Sequence, residues 1–228
     1  MLTTDEIKSM LGQQGAKLVQ PGMTVGIGSG STAYWFIQAL SHRVKNGLDI
    51  KGVPTSLRTK QLAIDHAIPL IELNDADNID IAIDGADEIT AQLQVIKGGG
   101  GALLQEKMVA DASRQFIIIA DDTKLTEDFG KTPLPVEVIP YGWKHVKSII
   151  VAFGCKEVNL RMNGNEIFVT DHGHYILDCK FRQIPYPATL HSKLNNIPGV
   201  VENGMFINMA DMALIGHADG SVTELQRS

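Results

Sequence analysis

Residues 23–33 read Met-Thr-Val-Gly-Ile-Gly-Ser-Gly-Ser-Thr-Ala, and an apolar stretch continues from Ala33 to about Arg43. A short apolar run, a glycine–serine turn and a helical period in succession describe a buried strand that feeds a helix through a tight loop. The same order recurs outward along the chain. Residues 50–54 lead into 57–66, and the strand-like run 79–83 stops at Asp84. Residues 94–96 enter a four-glycine run, then a helix from Ala102 to about Ala112, and 116–120 is a further apolar strand. Upstream, Ile7, Met10, Leu11, Leu18 and Val19 mark a helix over about 5–19, closed by Pro21-Gly22. The alternation predicts an α/β fold with a Rossmann-like, mostly parallel sheet and helices on both faces.

After about Gly130 the pattern changes. Residues 133–140 read as extended, about 142–153 as a helix, and 155–162 and 167–179 as two strands around a turn at Asn163-Gly164. A second helix over about 187–196 and a strand starting at Val200 complete a β-α-β-β-α-β order, which predicts a small ferredoxin-like α+β domain. The expected division is therefore 1–130 with 203–228 as the Rossmann-like catalytic domain and 131–202 as the inserted one, with 205–215 returning to the parallel sheet.

Charge and composition narrow the partners. The net charge is −6 and no segment forms a basic stripe, so nucleic acid is not an expected partner. No apolar run is long enough to span a bilayer, and the acidic N-terminus lacks the apolar core of a secretory signal. Cys155 and Cys179 are isolated, which argues against a disulfide or zinc site and for a reducing cytoplasm. His172 and His174 have no third ligand near them in sequence and, with Gly173, read more simply as a hairpin turn, and no metal or other cofactor is expected. The Gly26-x-Gly28-x-x fingerprint ends in Ser31 where a dinucleotide site needs glycine, so a nucleotide cofactor fails on detail.

Three junctions carry chemistry. Ser29, Gly30, Ser31 and Thr32 present successive N–H groups and hydroxyls at a helix N-terminus, which suits a phosphate monoester; a plain strand–helix turn reads the same way. Asp84-Gly85-Ala86-Asp87 places two carboxylates at the C-terminal end of a strand, where open α/β sheets bind ligands and where mutual repulsion raises a pKa. Turn-forming aspartates are the alternative, and the neighbouring Glu88 reads as a solvated or capping residue. Lys97 stands at the mouth of Gly98-Gly99-Gly100-Gly101, whose ordering is entropically costly unless backbone must approach a ligand closely. Glu106 follows about one turn into the next helix, and Lys124, after the 116–120 strand, adds a fourth, weaker source of positive charge.

Taken together, 26–33, 84–89 and 97–106, with 133–140, 197–201 and 213–216, resemble the signature blocks of the ribose-5-phosphate isomerase A family, in the family's order. The resemblance implies cofactor-independent interconversion of D-ribose 5-phosphate and D-ribulose 5-phosphate in the non-oxidative pentose phosphate pathway. It implies Glu106 as the proton-shuttling base, with Asp84, Asp87 and Lys97 as catalytic partners. Ser29–Thr32, Asp84–Asp87, Lys97–Gly100 and Lys124 would contact the sugar phosphate, and Lys8 sits where the family often offers a further phosphate contact. A homodimer or homotetramer is implied as well. Two other readings suit the same sheet edge: a sugar-phosphate-sensing effector domain that binds without turnover, and a CoA-transferase-like enzyme with a nucleophilic glutamate.

Overall fold

The computed structural model describes residues 1–227. The chain opens with α1 (Thr4–Leu18), whose N-terminus is closed by a capping box: Glu6 N–H donates to Thr3 Oγ1 and Thr3 N–H to Glu6 Oε2. β1 (Thr24–Ile27), α2 (Gly30–Lys45), β2 (Lys51–Pro54), α3 (Leu57–Asp65) and β3 (Ile81–Asp84) follow. Two short strands, β4 (Glu88–Ile89) and β5 (Val95–Ile96), precede α4 (Leu103–Asp111) and β6 (Phe116–Asp121). Next come β7 (Leu134–Val138), α5 (Trp143–Ala152), β8 (Glu157–Leu160), β9 (Met162–Asn163), β10 (Glu166–Ile167), β11 (Tyr175–Lys180), α6 (Pro187–Asn195) and β12 (Val200–Asn203). The chain closes with β13 (Met205–Phe206), β14 (Met212–Gly216) and β15 (Val222–Gln226).

The main sheet has the order β15-β14-β6-β3-β1-β2, parallel throughout except for β15, which pairs antiparallel with β14. Its central strands are buried on both faces, as a covered parallel sheet requires. On one face Ile27, Ile83, Ile117 and Ile119 pack with Leu11 of α1 and Phe36 and Leu40 of α2. On the other, Ala82, Ile118 and Ala120 pack with Val109 of α4, Val95 and Phe206. The cover is uneven: α4 shares its face with a small antiparallel sheet of order β13-β5-β4. The chain leaves β1 toward β2 and then crosses to β3 on the other side, so the C-terminal ends of β1 and β3 meet at the topological switch point.

The second sheet, β12-β7-β11-β8, is antiparallel, and α5 and α6 cover one face through Val146, Ile150 and Leu194 against Val136, Val138, Leu177 and Cys179. Its element order is the expected β-α-β-β-α-β, with a two-residue hairpin, β9 with β10, added. Two expectations are corrected. The run 167–179 is not one strand: Gly173, at φ +79°, turns the chain and donates to the Thr170 carbonyl, and pairing resumes only at Tyr175. Nor does all of 205–215 return to the parallel sheet, because β13 pairs antiparallel with β5 and only β14 lies beside β6. Among the described residues no helix is long and apolar enough to cross a membrane.

Candidate active site

The sheet register sets Ile27 beside Ile83, so the Gly28–Ser29 loop passes directly over Asp84. A Cβ on Gly28 would lie 2.3 Å from the Asp84 carboxyl carbon, which leaves glycine as the residue that fits. Asp84 Oδ1 then accepts from the Ser29 N–H at 3.0 Å and the Gly85 N–H at 2.7 Å. That pair of bonds ties the first loop to the second. The third loop joins through Asp87, whose Oδ2 accepts the Gly99 N–H at 2.8 Å.

Between these loops lies a cleft of about 190 Å³. It is smaller than the roughly 300–1,000 Å³ typical of sites for drug-sized ligands, a size that suits a small polar metabolite. Ser29, Gly30, Ser31, Thr32, Gly85, Ala86, Asp87, Lys97, Gly98, Gly99, Gly100, Glu106 and Lys124 all line it. The first-turn amides of α2 have no intrahelical acceptor, and no side chain caps them. Lys8, on α1 of the same chain, donates from Nζ to Ser31 Oγ at 3.0 Å. Lys124 closes the single turn after β6, so two ammonium groups and a helix N-terminus all border the cleft.

The cleft wall also holds a buried charge cluster. Lys97 Nζ donates to the Gly85 carbonyl at 2.8 Å and stands 3.0 Å from Asp84 Oδ2 and 3.4 Å from Glu106 Oε2. All three side chains are nearly inaccessible to water. Burial pushes the Glu106 carboxyl up to about 8; Lys97 opposes this, and the Asp84 and Asp87 charges add to it. Burial also raises Asp84 against the pull of Lys97 and the two backbone amides. For Lys97, burial works against the charge, but the adjacent Asp84 and Glu106 carboxylates win and hold the ammonium above its ordinary range. One lysine between two desolvated carboxyls cannot neutralise both, so the pair favours holding a proton near neutral pH, Glu106 being the carboxyl pushed up to about 8.

Three sequence expectations change. Asp84 does not line the cleft, since its oxygens are turned to Lys97 and to the backbone. The Ser29 hydroxyl is engaged by Thr55 and Ser56, each at 2.8 Å, and by Thr59 at 3.0 Å. These three residues escaped the sequence reading, although Thr55 and Ser56 follow β2 at the same sheet edge. Glu88 is neither solvated nor a helix cap: it is buried and accepts from Gly130 N–H, Thr132 N–H and Thr132 Oγ1. Lys107, next to Glu106 in sequence, is buried and donates to Glu202 and to the Asn203 and Met205 carbonyls.

A doubly wound sheet with uncapped helix amides, two buried carboxyls and a lysine at its switch point has the make-up of an α/β enzyme. A model of the ribose 5-phosphate isomerase A (phosphoriboisomerase A) family matches residues 51–220. The chain is 51% identical over 215 residues to ribose-5-phosphate isomerase A of Bacillus mycoides strain KBAB4, covering 94% of this chain and 97% of that one. It is 48% identical to the Ruegeria sp. strain TM1040 protein of the same name, covering 96% and 86%. Among solved structures, a D-ribose-5-phosphate isomerase in complex with phospho-erythronic acid superposes with a TM-score of 0.96 at 39% identity, covering 99% of this chain and all of the other. Ribose 5-phosphate isomerase A from Methanocaldococcus jannaschii gives 0.93 at 38%, covering 98% and 100%. The chain belongs to the ribose-5-phosphate isomerase A family.

Proposed function

We propose that the chain interconverts D-ribose 5-phosphate and D-ribulose 5-phosphate through an enediolate, with Glu106 as the base at carbon. The observation that carries this reading is the Glu106 carboxyl, buried 3.4 Å from Lys97 Nζ and forming the wall of the same cleft as Ser31, Thr32 and Lys124. With the phosphate on Lys8, Lys124 and the first turn of α2, an extended pentose directs its C1 and C2 toward Lys97 and Glu106. Ionised Glu106 removes the C2 proton, exchanges it in part with solvent through the cleft, and delivers a proton to C1, while the O2 proton passes to O1. Lys97 and the glycine-loop amides stabilise the negative oxygen that develops between these transfers. Asp87, whose second oxygen accepts no protein hydrogen bond among the described residues, is the carboxylate open to the cleft for ring opening and oxygen protons. Asp84 acts from behind, by holding Lys97 and the Ser29 loop.

The reading extends to the setting. Both cysteines are buried free thiols, which favours a reducing, cytoplasmic location; the family resemblance is what supports a homodimer or homotetramer. Phospho-erythronic acid, bound in one of the related structures, carries a phosphate and a carboxylate on a four-carbon chain, a charge pattern that matches a phosphorylated enediolate. The test is ketose formation from ribose 5-phosphate by purified protein. Wild type turns over, and Glu106→Gln loses about 10²–10⁴ in kcat while keeping its fold. Binding without turnover by wild type identifies an effector module instead. Near-full activity of Glu106→Gln removes Glu106 as the base.

A further inference from the structure

The amides of the glycine loop stabilise an anion only if they point at it, and glycine by itself imposes no orientation. Within the loop the Gly101 N–H holds the Gly98 carbonyl at 3.0 Å, and the rest of the loop's direction is set from outside. Arg161, between β8 of the second sheet and β9, donates from Nη1 to the Gly98 carbonyl at 2.9 Å and the Gly99 carbonyl at 3.1 Å. The peptide bonds are trans, and in a planar trans peptide the C=O of one residue and the N–H of the next point in opposite directions. Pinning the Gly98 and Gly99 oxygens toward Arg161 therefore turns the Gly99 and Gly100 N–H groups the other way, toward the cleft. Gly99 N–H is found there, on Asp87 of the cleft wall, and Gly100 N–H meets no protein acceptor among the described residues.

Arg161 is itself held. Its Nε donates to Asp178 Oδ2 at 2.9 Å and its Nη2 to the other oxygen, a bidentate grip that fixes the guanidinium plane. The side chain is 14% exposed and lies over the Phe168 ring at 5.8 Å. Phe168 in turn occupies the space that a Cβ on Gly101 would enter, 2.4 Å away, so the same segment buttresses the end of the loop. A cation on the carbonyl side of a peptide also draws electron density from its N–H, making it a stronger donor to an anion.

We propose that Arg161, locked by Asp178, is a positioning residue that aims the free Gly100 amide at the enediolate oxygen and keeps the Gly99 amide on Asp87. This rests on the isomerase reading above, and wild-type turnover of ribose 5-phosphate tests that reading separately. The experiment compares wild type, Arg161→Gln, Arg161→Lys and Asp178→Asn in steady-state kinetics and in inhibition by phospho-erythronic acid and by inorganic phosphate. Arg161→Gln is expected to lose about 10–100-fold in kcat, the scale of a displaced oxyanion donor, with KM within a few-fold. Inhibition by phospho-erythronic acid should weaken in step with kcat, while inhibition by inorganic phosphate, seated at the far end, stays unchanged. Arg161→Lys and Asp178→Asn should show the same signature at smaller size. A kcat within twofold of wild type for Arg161→Gln overturns the proposal, as does parallel weakening of both inhibitors. If Arg161→Gln does not fold, Asp178→Asn decides: wild-type kcat with an unaltered ratio of the two inhibition constants overturns it.

Discussion

Lys97 and Lys107 are both buried, and both ammonium groups approach the ring of Phe206, at 5.6 and 4.9 Å. Their surroundings differ in one respect. Lys107 donates to Glu202 and to two backbone carbonyls, at 2.7–2.8 Å, so its three donors are used. Burial lowers its pKa despite Glu202. Lys97 has one carbonyl and two carboxyls, and Asp84 Oδ2 and Glu106 Oε2 are left without a well-formed hydrogen bond. The closed set fastens α4 to the β12–β13 segment, whereas the open set retains capacity for a ligand and stores a proton. Full satisfaction marks structure, and buried shortfall beside a cleft marks chemistry.

Replacing each lysine breaks the comparison most directly. Lys97→Met should lower kcat by about 10²–10³, the loss expected for a stabilising donor at a developing oxyanion. Lys107→Met should keep kcat within a few-fold and instead lose on the order of 3 kcal/mol of stability, because Glu202 is left without its partner. Chemical denaturation alongside initial rates checks both; equal loss of kcat in the two variants would erase the distinction.

The stored proton gives two smaller effects with a definite sign. Glu106 must be ionised to act as base, so kcat/KM should fall about tenfold per unit of pH below its value of about 8. The same shift acts on stability. Its folded value lies above the ordinary 4.5, so between 4.5 and 8 the folded state holds a proton that the unfolded chain releases. Stability contributed by that proton is whole below about pH 4.5 and is lost as pH rises toward 8. Glu106→Gln lacks this penalty. Its melting temperature relative to wild type should climb from pH 5 to 8 and then level off, and parallel melting curves would place the proton elsewhere.

Much of this was legible in the chain, and the limits have a physical cause. The strand–glycine–helix junctions are local, so the order Ser29–Thr32, Asp84–Asp87 and Lys97–Glu106 showed which loops share a sheet edge. Family resemblance covered nearly the same residues. What stayed hidden depends on contacts distant in sequence. Arg161 reaches the glycine loop across more than sixty residues, and no local period marks it. Asp84 and Asp87 look alike in sequence, yet the register of β1 against β3 turns one into the protein and leaves the other at the cleft. Glu88 sits beside them as a third acid, and only the return of the 130–132 segment makes it structural. The edge strand β15 lacked an apolar signature because much of it is exposed.

The role of Glu106 at carbon is read most directly by hydrogen exchange. Ribose 5-phosphate equilibrated with wild type in D₂O should acquire deuterium at C2 of the aldose and C1 of the ketose. Glu106→Gln, folded and at the same concentration, should acquire it at least a hundredfold more slowly. Exchange by Glu106→Gln within a few-fold of the wild-type rate would mean that another group takes the proton.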